Sequence, residues 1–181
     1  CMFNAISIVN LPSQLSCPIY RYGINSFALY NLVLPQQGKI LGFLGKNGIG
    51  KTTTIKILAG KLQLDKDIKL RHEQINYFSE LHNKKIAFKL QDISKLAEYN
   101  KTVKQFFTNI GLNNEAVKQA SKLNIDINKK LSQLSGGELQ KVSIIAASLK
   151  DADLYFFDEP SAYLAIAERI KIARFIRTVT V

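Results

Sequence analysis

Gly45-Lys46-Asn47-Gly48-Ile49-Gly50-Lys51-Thr52 stands between an apolar run, Ile40 to Leu44, and a helical run, Thr53 to Leu62. Strand, glycine-rich turn and helix in that order make a P-loop. Glycines at 45, 48 and 50 let the main chain wrap closely around phosphate oxygens, and the helix points its unpaired N–H groups and positive dipole end at them. In such a loop Lys51 reaches the β and γ phosphates of a nucleoside triphosphate and the Thr52 hydroxyl binds Mg²⁺. Asn47 and Thr53 complete the set of P-loop residues expected at the nucleotide. The fold expected is α/β, a P-loop NTPase of RecA-like type.

A second apolar run, Leu154-Tyr155-Phe156-Phe157, ends in Asp158-Glu159. In phosphoryl transfer, a carboxylate at this place orders Mg²⁺ and its neighbour activates the attacking water, so Asp158 is read as the metal residue and Glu159 as the catalytic base. Two acids after a strand are often only a surface turn; a P-loop in the same chain tips the balance. Leu134-Ser135-Gly136-Gly137-Glu138-Leu139-Gln140 opens a helix continued by Val142, Ile145 and Leu149. Its serine and bare glycine backbone make a second device for phosphate, with an ordinary capped helix as the bland alternative.

Composition sets the outer limits. The chain has 181 residues, 46% hydrophobic and 22% charged, which is globular rather than disordered, and no apolar run is long enough to span a bilayer. Only Cys1 and Cys17 are present and the first residues lack the layout of a secretory signal, so a reducing cytoplasm fits best and no membrane partner is expected. The net charge of +11 makes polyanions plausible partners, although a solvated lysine-rich surface would look the same.

Between the two apolar strands, both read as buried, Ile93 to Leu131 has helical spacing, with Val103, Phe106, Phe107 and Ile110 as candidate core. The stretch before Pro35, including Arg21-Tyr22-Gly23-Ile24-Asn25, reads as short strands and hairpins flanking the main sheet. After Pro160 a basic amphipathic helix is expected, with Ile166, Ile170, Ala173 and Ile176 on its apolar face and Lys171, Arg174 and Arg177 on another.

P-loop, then Ser135-Gly136-Gly137, then acidic strand is the motif order of ABC-type ATPases, which the chain resembles. Ala5-Ile6-Ser7-Ile8-Val9-Asn10-Leu11-Pro12, Arg21-Tyr22 with Asn25 and Phe27, and Asp158-Glu159-Pro160-Ser161 with Tyr163-Leu164 resemble the first nucleotide-binding domain of the ABC-type ribosome recycling factors. These are also called the RNase L inhibitor family, ABC subfamily E. The resemblance implies an ABC nucleotide-binding domain with an N-terminal β subdomain and a helical insert, using ATP and Mg²⁺. Tyr22 would stack on adenine, with Phe27 as its alternative and a core aromatic as the bland reading of either. Gln91 would sense Mg²⁺ and the γ-phosphate. Ser135, Gly136 and Gly137 would reach the ATP of a second nucleotide-binding domain, without which hydrolysis is poor. The implied function is the splitting of ribosomal subunits after termination, the factor staying on the small subunit. Implied partners are that subunit and its rRNA, a class-one release factor or its rescue paralogue, initiation factors, and the second nucleotide-binding domain of the same protein. An ABC transporter ATPase subunit, or a ribosome-bound nucleotide-binding module with little turnover, are the alternatives.

Departures from the family pattern shape the expected organisation. Residues 1–17 read as a leader, Cys1 resembling the last cysteine of an iron–sulfur domain whose clusters would lie in a missing N-terminal part. Residues 18–181 read as the ABC domain, truncated at its C-terminus, with a helical subdomain at about 92–150. Neither His72 nor His82 sits where the family's switch histidine belongs, Ala165 replaces an expected acid, and a ribosome-facing helix-loop-helix is expected to be short around Tyr77 to Lys89.

Overall fold

The computed structural model describes residues 3–8, 19–22, 25–28, 38–62, 83–89, 92–112 and 114–180, the first three segments as backbone only. The elements in chain order are β1 Phe3–Ile8, β2 Ile19–Tyr22, β3 Asn25–Ala28, β4 Lys39–Leu44, α1 Lys51–Leu58 and β5 Ile86–Lys89. Then follow α2 Ser94–Ala97, α3 Val103–Asn109, α4 Asn114–Lys122, a 3-10 turn Leu131–Gln133, α5 Gly136–Ser148, β6 Leu154–Phe157 and α6 Ile166–Thr180.

Four strands form a mixed sheet in the order β4-β1-β6-β5, and β2 with β3 forms a separate antiparallel hairpin. β5 and β6 are parallel, with Phe88 paired to Phe156. β1 runs antiparallel to both its neighbours, Ala5 pairing with Gly42 on one edge and Phe157 on the other. The expectation that every strand before Pro35 flanks the main sheet therefore fails for β1, while β2 and β3 form a hairpin outside that sheet. Alternating Ile6 and Ile8 suit a strand at an edge or in the interior, and pairing of backbone groups along both edges decides between them.

All four residues of β6 are buried, as a continuous apolar run in an inner strand should be. β4 is just as apolar yet only half-buried, with Leu44 71% exposed, which corrects the reading of it as a buried strand. It lies last in the strand order, so among the described residues only one of its edges is paired, whereas β6 is paired on both.

α1 begins two residues before the expected start and ends at Leu58 instead of Leu62. Gly60 has φ 63°, and its N–H donates to the Ile57 carbonyl at 3.0 Å while the Lys61 N–H donates to Lys56 at 2.8 Å. This paired arrangement is a Schellman stop, which closes the helix at the first glycine after the P-loop. Buried Ile55, Ile57 and Leu58 hold α1 in place.

The helical insert is present as α2, α3 and α4. Thr102 caps α3 by accepting from the Gln105 N–H at 3.2 Å, and the Gln105 side chain accepts in return from the Thr102 N–H at 3.0 Å. Val103, Phe106 and Phe107 are buried as expected, whereas Ile110 is 37% exposed. α5 carries much of the core: Val142, Ile144 and Ile145 are fully buried in one cluster with Phe107, Phe157 and Ile176. Each such aliphatic side chain contributes about 1.5–3 kcal/mol.

In α6 the buried residues are Ile172, Phe175, Ile176 and Thr180, while Ile166 and Ile170 are 78% and 53% exposed. The predicted apolar face thus holds at Ile176 and is corrected at Ile166, Ile170 and Ala173, which are exposed. This helix has two apolar stripes, and the one that includes Phe175 packs inward because it buries more surface. Lys141 of α5 pairs with Glu168 of α6, tying the two helices together, and Arg169 Nε donates to the Leu164 carbonyl at 3.0 Å, fastening α6 to the segment before it. Among the described residues no helix is long and apolar enough to cross a membrane.

Two substitutions test these local rules. Gly60→Ala should cost about 1 kcal/mol, because an L side chain is strained at this φ, and lower Tm by about 2–4 °C in thermal denaturation. Ala165 precedes α6 and its carbonyl accepts from the Glu168 and Arg169 N–H groups, but it offers no capping side chain. Ala165→Asp should therefore raise stability by about 1 kcal/mol in the same assay.

Candidate nucleotide-binding site

β4 runs straight into the P-loop, and α1 starts from it. Gly50, at φ 97°, is the N-cap of α1 and brings no side-chain acceptor, so the first-turn amides are left for an outside anion. Asn47, Gly48 and Gly50 with Lys51, Thr52 and Thr53 line one side of a cleft of about 300 Å³, and Glu159 closes the other. Lys51 Nζ folds back to donate to the carbonyls of Gly45 at 2.9 Å and Lys46 at 2.8 Å. The ammonium is thereby held inside the loop, where a phosphate would meet it. A groove of about 270 Å³ elsewhere is walled by Tyr99, Phe106 and Ile110 together with Lys95, Lys150 and Asp92, and it does not include the P-loop.

The Thr52 hydroxyl donates to Asp158 Oδ1 at 2.9 Å. Two of the three residues assigned to the metal from sequence are therefore in contact, although they come from the first turn of α1 and the end of β6, while the third, Gln91, lies outside the described residues. A hydroxyl and a carboxylate oxygen side by side below a phosphate cradle are the hard donors that suit Mg²⁺, which takes its remaining ligands from phosphates and water. Asp158 is fully buried and Glu159 is 7% exposed. Glu159 has φ 48°, a left-handed conformation rare for a residue with a Cβ and concentrated at functional sites.

Two residues beside this pair escaped the sequence reading. Lys89, at the end of β5 and 2% exposed, donates from Nζ to the Asp158 carbonyl at 2.9 Å. Burial pushes its pKa down to about 8, against the pull of the neighbouring carboxylates of Asp158 and Glu159. Gln140 of α5, fully buried, donates from Nε2 to the Glu159 carbonyl at 2.8 Å. The available signals were a lysine closing an apolar strand two residues before Gln91, and a glutamine on the inward side of α5.

Ser135 is the N-cap of α5 in a reciprocal capping box. Its Oγ accepts from the Glu138 N–H at 3.2 Å, and its N–H donates to Glu138 Oε2 at 2.8 Å. The latter bond holds the Glu138 carboxyl below its usual pKa. A Cβ on Gly137 would lie 3.1 Å from the Tyr163 carbonyl oxygen, so a glycine there lets α5 approach the segment after the acidic pair. Ser135 and Gly136 are exposed, and neither they nor Gly137 line the P-loop cleft. The structure thus gathers Lys51, Thr52, Asp158 and Glu159, and keeps Ser135-Gly136-Gly137 on a different surface. Tyr22 pairs with Asn25 at the end of the β2–β3 hairpin and Phe27 with Tyr20, as backbone only. Their side chains lie outside the described residues, as do Gln91, His72 and His82.

The sequence model of the ABC transporter family matches residues 32–162. An ABC transporter ATP-binding protein of Methanocaldococcus jannaschii is 41% identical, the match covering 98% of this chain and 33% of that protein. Translation initiation factor rli1 of Schizosaccharomyces pombe is 38% identical over 98% of this chain and 34% of its own length. ABC transporter E family member 3 of Arabidopsis thaliana is 33% identical, with 78% of each chain covered. Among solved structures, that of archaeal ribosome recycling factor aABCE1 with the ribosomal stalk protein aP1 matches at a TM-score of 0.72 and 34% identity, over 90% of this chain and 35% of that one. A chain of the ribosome-bound archaeal Pelota and ABCE1 structure matches at 0.72 and 36% identity, over 90% of this chain and 30% of its own. The chain spans about a third of the length of the first two relatives. With the family matched across residues 32–162 and an E family member matched over 78% of its own length, this chain belongs to the ABC family and, within it, to the E family.

Proposed function

We propose that this chain binds and hydrolyses ATP as a nucleotide-binding domain of a ribosome recycling factor, one that separates ribosomal subunits after termination and stays on the small subunit. The observation that carries the ATPase reading is the contact of Thr52 with Asp158 at 2.9 Å under the P-loop. The ribosomal reading draws its support from relatives with translation names matched along almost the whole chain.

On this reading the amides of Gly48, Gly50 and Lys51 to Thr53 cradle the β and γ phosphates, Asn47 borders them, and Lys51 moves from the carbonyls of Gly45 and Lys46 to the phosphates. Thr52 and Asp158, with Gln91, hold Mg²⁺, which when bound offsets phosphate charge. Glu159 takes the proton of the attacking water. Tyr22 stacks on adenine. Ser135, Gly136 and Gly137, the first two exposed and all three apart from the domain's own cleft, meet the ATP of a second nucleotide-binding domain. That partition supports a requirement for two domains: among the described residues, Ser135, Gly136 and Gly137 do not line the cleft that holds the cradle and the base.

The wider partners proposed are the small subunit's rRNA, for which the charge of +11 is suited, a class-one release factor or its rescue paralogue, and initiation factors, in a cytoplasmic setting. Iron–sulfur clusters belong to a domain preceding residues 1–17, and residues 18–181 form the nucleotide-binding domain. A second reading, a ribosome-bound module with little turnover, is favoured by one observation: exposed Ala165 stands where the resemblance expects an acid.

Two experiments separate these readings. Sedimentation of the protein that carries this chain through a gradient of cell extract should place it with the small subunit when a non-hydrolysable ATP analogue is present; a protein left at the top, or moving with membranes, defeats the ribosomal reading. Glu159→Gln should leave ATP binding intact and lower hydrolysis by about 10²- to 10⁴-fold, measured as phosphate release. Subunit splitting unaffected by this change would favour the low-turnover module.

A further inference from the structure

The acidic pair sits on a turn that does not hold its shape unaided. Glu159 adopts φ 48°, and four residues later Tyr163 adopts φ 61°. Non-glycine residues persist in this region only where their surroundings over-determine them, at a cost of about 1–3 kcal/mol each. We propose that Lys89 and Gln140 are positioning residues for hydrolysis: by gripping the successive carbonyls of Asp158 and Glu159 they hold the metal-binding and catalytic carboxylates in register with the P-loop. This rests on the ATPase reading above.

The grip comes from two directions. Lys89 extends the β5–β6 pairing by one residue, its carbonyl accepting from the Asp158 N–H at 3.0 Å, and then returns its Nζ to the Asp158 carbonyl at 2.9 Å. Asp158 is thus bound on both sides of its Cα by one residue. The Glu159 carbonyl accepts from the Ala162 N–H at 3.1 Å and from Gln140 Nε2 at 2.8 Å. Neither donor is a cheap choice for its position. Lys89 is 2% exposed and Gln140 is fully buried, with its Oε1 lacking a hydrogen-bond partner among the described residues. A methionine at 140 would bring no unpaired amide oxygen and would leave the Glu159 carbonyl its Ala162 donor, and a methionine at 89 would bury no ammonium.

Gln140 adds a connection that Lys89 does not. It stands on α5, the helix that Ser135, Gly136 and Gly137 open, and Gly137 already lets that helix touch the Tyr163 carbonyl. The start of α5 and the turn after β6 are therefore fastened at two points, Gly137 against Tyr163 and Gln140 against Glu159. A displacement of α5 by a nucleotide held in the partner domain would pull on the carbonyl of the base that serves this domain's own nucleotide.

Gln140→Met and Lys89→Met, made in the whole protein that carries this chain, test the proposal. Each should lower kcat for ATP hydrolysis by about 10- to 100-fold with KM for ATP changed less than about threefold, since the misplaced group acts on the reaction and not on the phosphate cradle. Hydrogen exchange gives a readout independent of turnover: the Ala162 amide should lose protection by about tenfold or more in Gln140→Met. Where Lys89→Met does not fold, Gln140→Met decides. Wild-type kcat with unchanged Ala162 protection overturns the proposal, and so does a parallel loss of ATP binding and thermal stability, which would mark a purely structural role. A wild-type protein that binds ATP without hydrolysing it would defeat the ATPase reading instead, and the exchange result would then judge the grip alone.

Discussion

A hydrogen bond between a helix and a strand that are far apart in sequence, Thr52 Oγ1 to Asp158 Oδ1, is the constraint on which this structure turns. It forms only if α1 starts at Lys51, if β6 ends at Phe157, and if the sheet sets the two at the same height. Each condition has its own cause. The uncapped start of α1 follows from Gly50, its early end from Gly60, and the depth of β6 from four consecutive buried residues. The active groups are few, and most of the remaining chain keeps them at hydrogen-bonding distance.

How much of this was legible depended on the range of the interaction. The P-loop, the acidic pair and the serine-glycine helix start were readable because their chemistry needs particular residue types at short spacing, and short spacing survives in a linear sequence. The place of β1 was not readable, since alternating Ile6 and Ile8 fit an inner strand and an outer one equally. Nor was the inward face of α6: Ile166 and Ile170 make one helical stripe, Ile172, Phe175 and Ile176 another, and only packing chooses between them. Lys89 was overlooked because a lysine ending a strand usually faces water; here a carbonyl and two carboxylates make burial tolerable.

The division between the P-loop cleft and the exposed Ser135-Gly136 surface has a physical logic of its own. A cleft lined by amides and one lysine attracts phosphate strongly without distinguishing states of the protein, so by itself it would hold nucleotide with little consequence. On the proposed function, a further set of phosphate-binding groups on a separate surface would make the tightest binding depend on two bodies coming together. Differential affinity for the joined state is what allows a bound nucleotide to drive movement.

The antiparallel insertion of β1 between β4 and β6 reaches beyond the finished structure into the way it forms. A strand from residues 3–8 must pair with one at 154–157, so the chain closes a loop spanning most of its length before the sheet is whole. Contacts of such separation are the slow ones in folding, and until they are made β1 and β6 expose unpaired edges that invite association with other chains. A nucleotide that bridges P-loop and acidic strand would reward the last of these closures, adding about 2.7 kcal/mol at a hundred times its Kd. The cleft would then serve the newly made chain as a site of ligand-assisted folding, before it serves the mature protein as a site of chemistry.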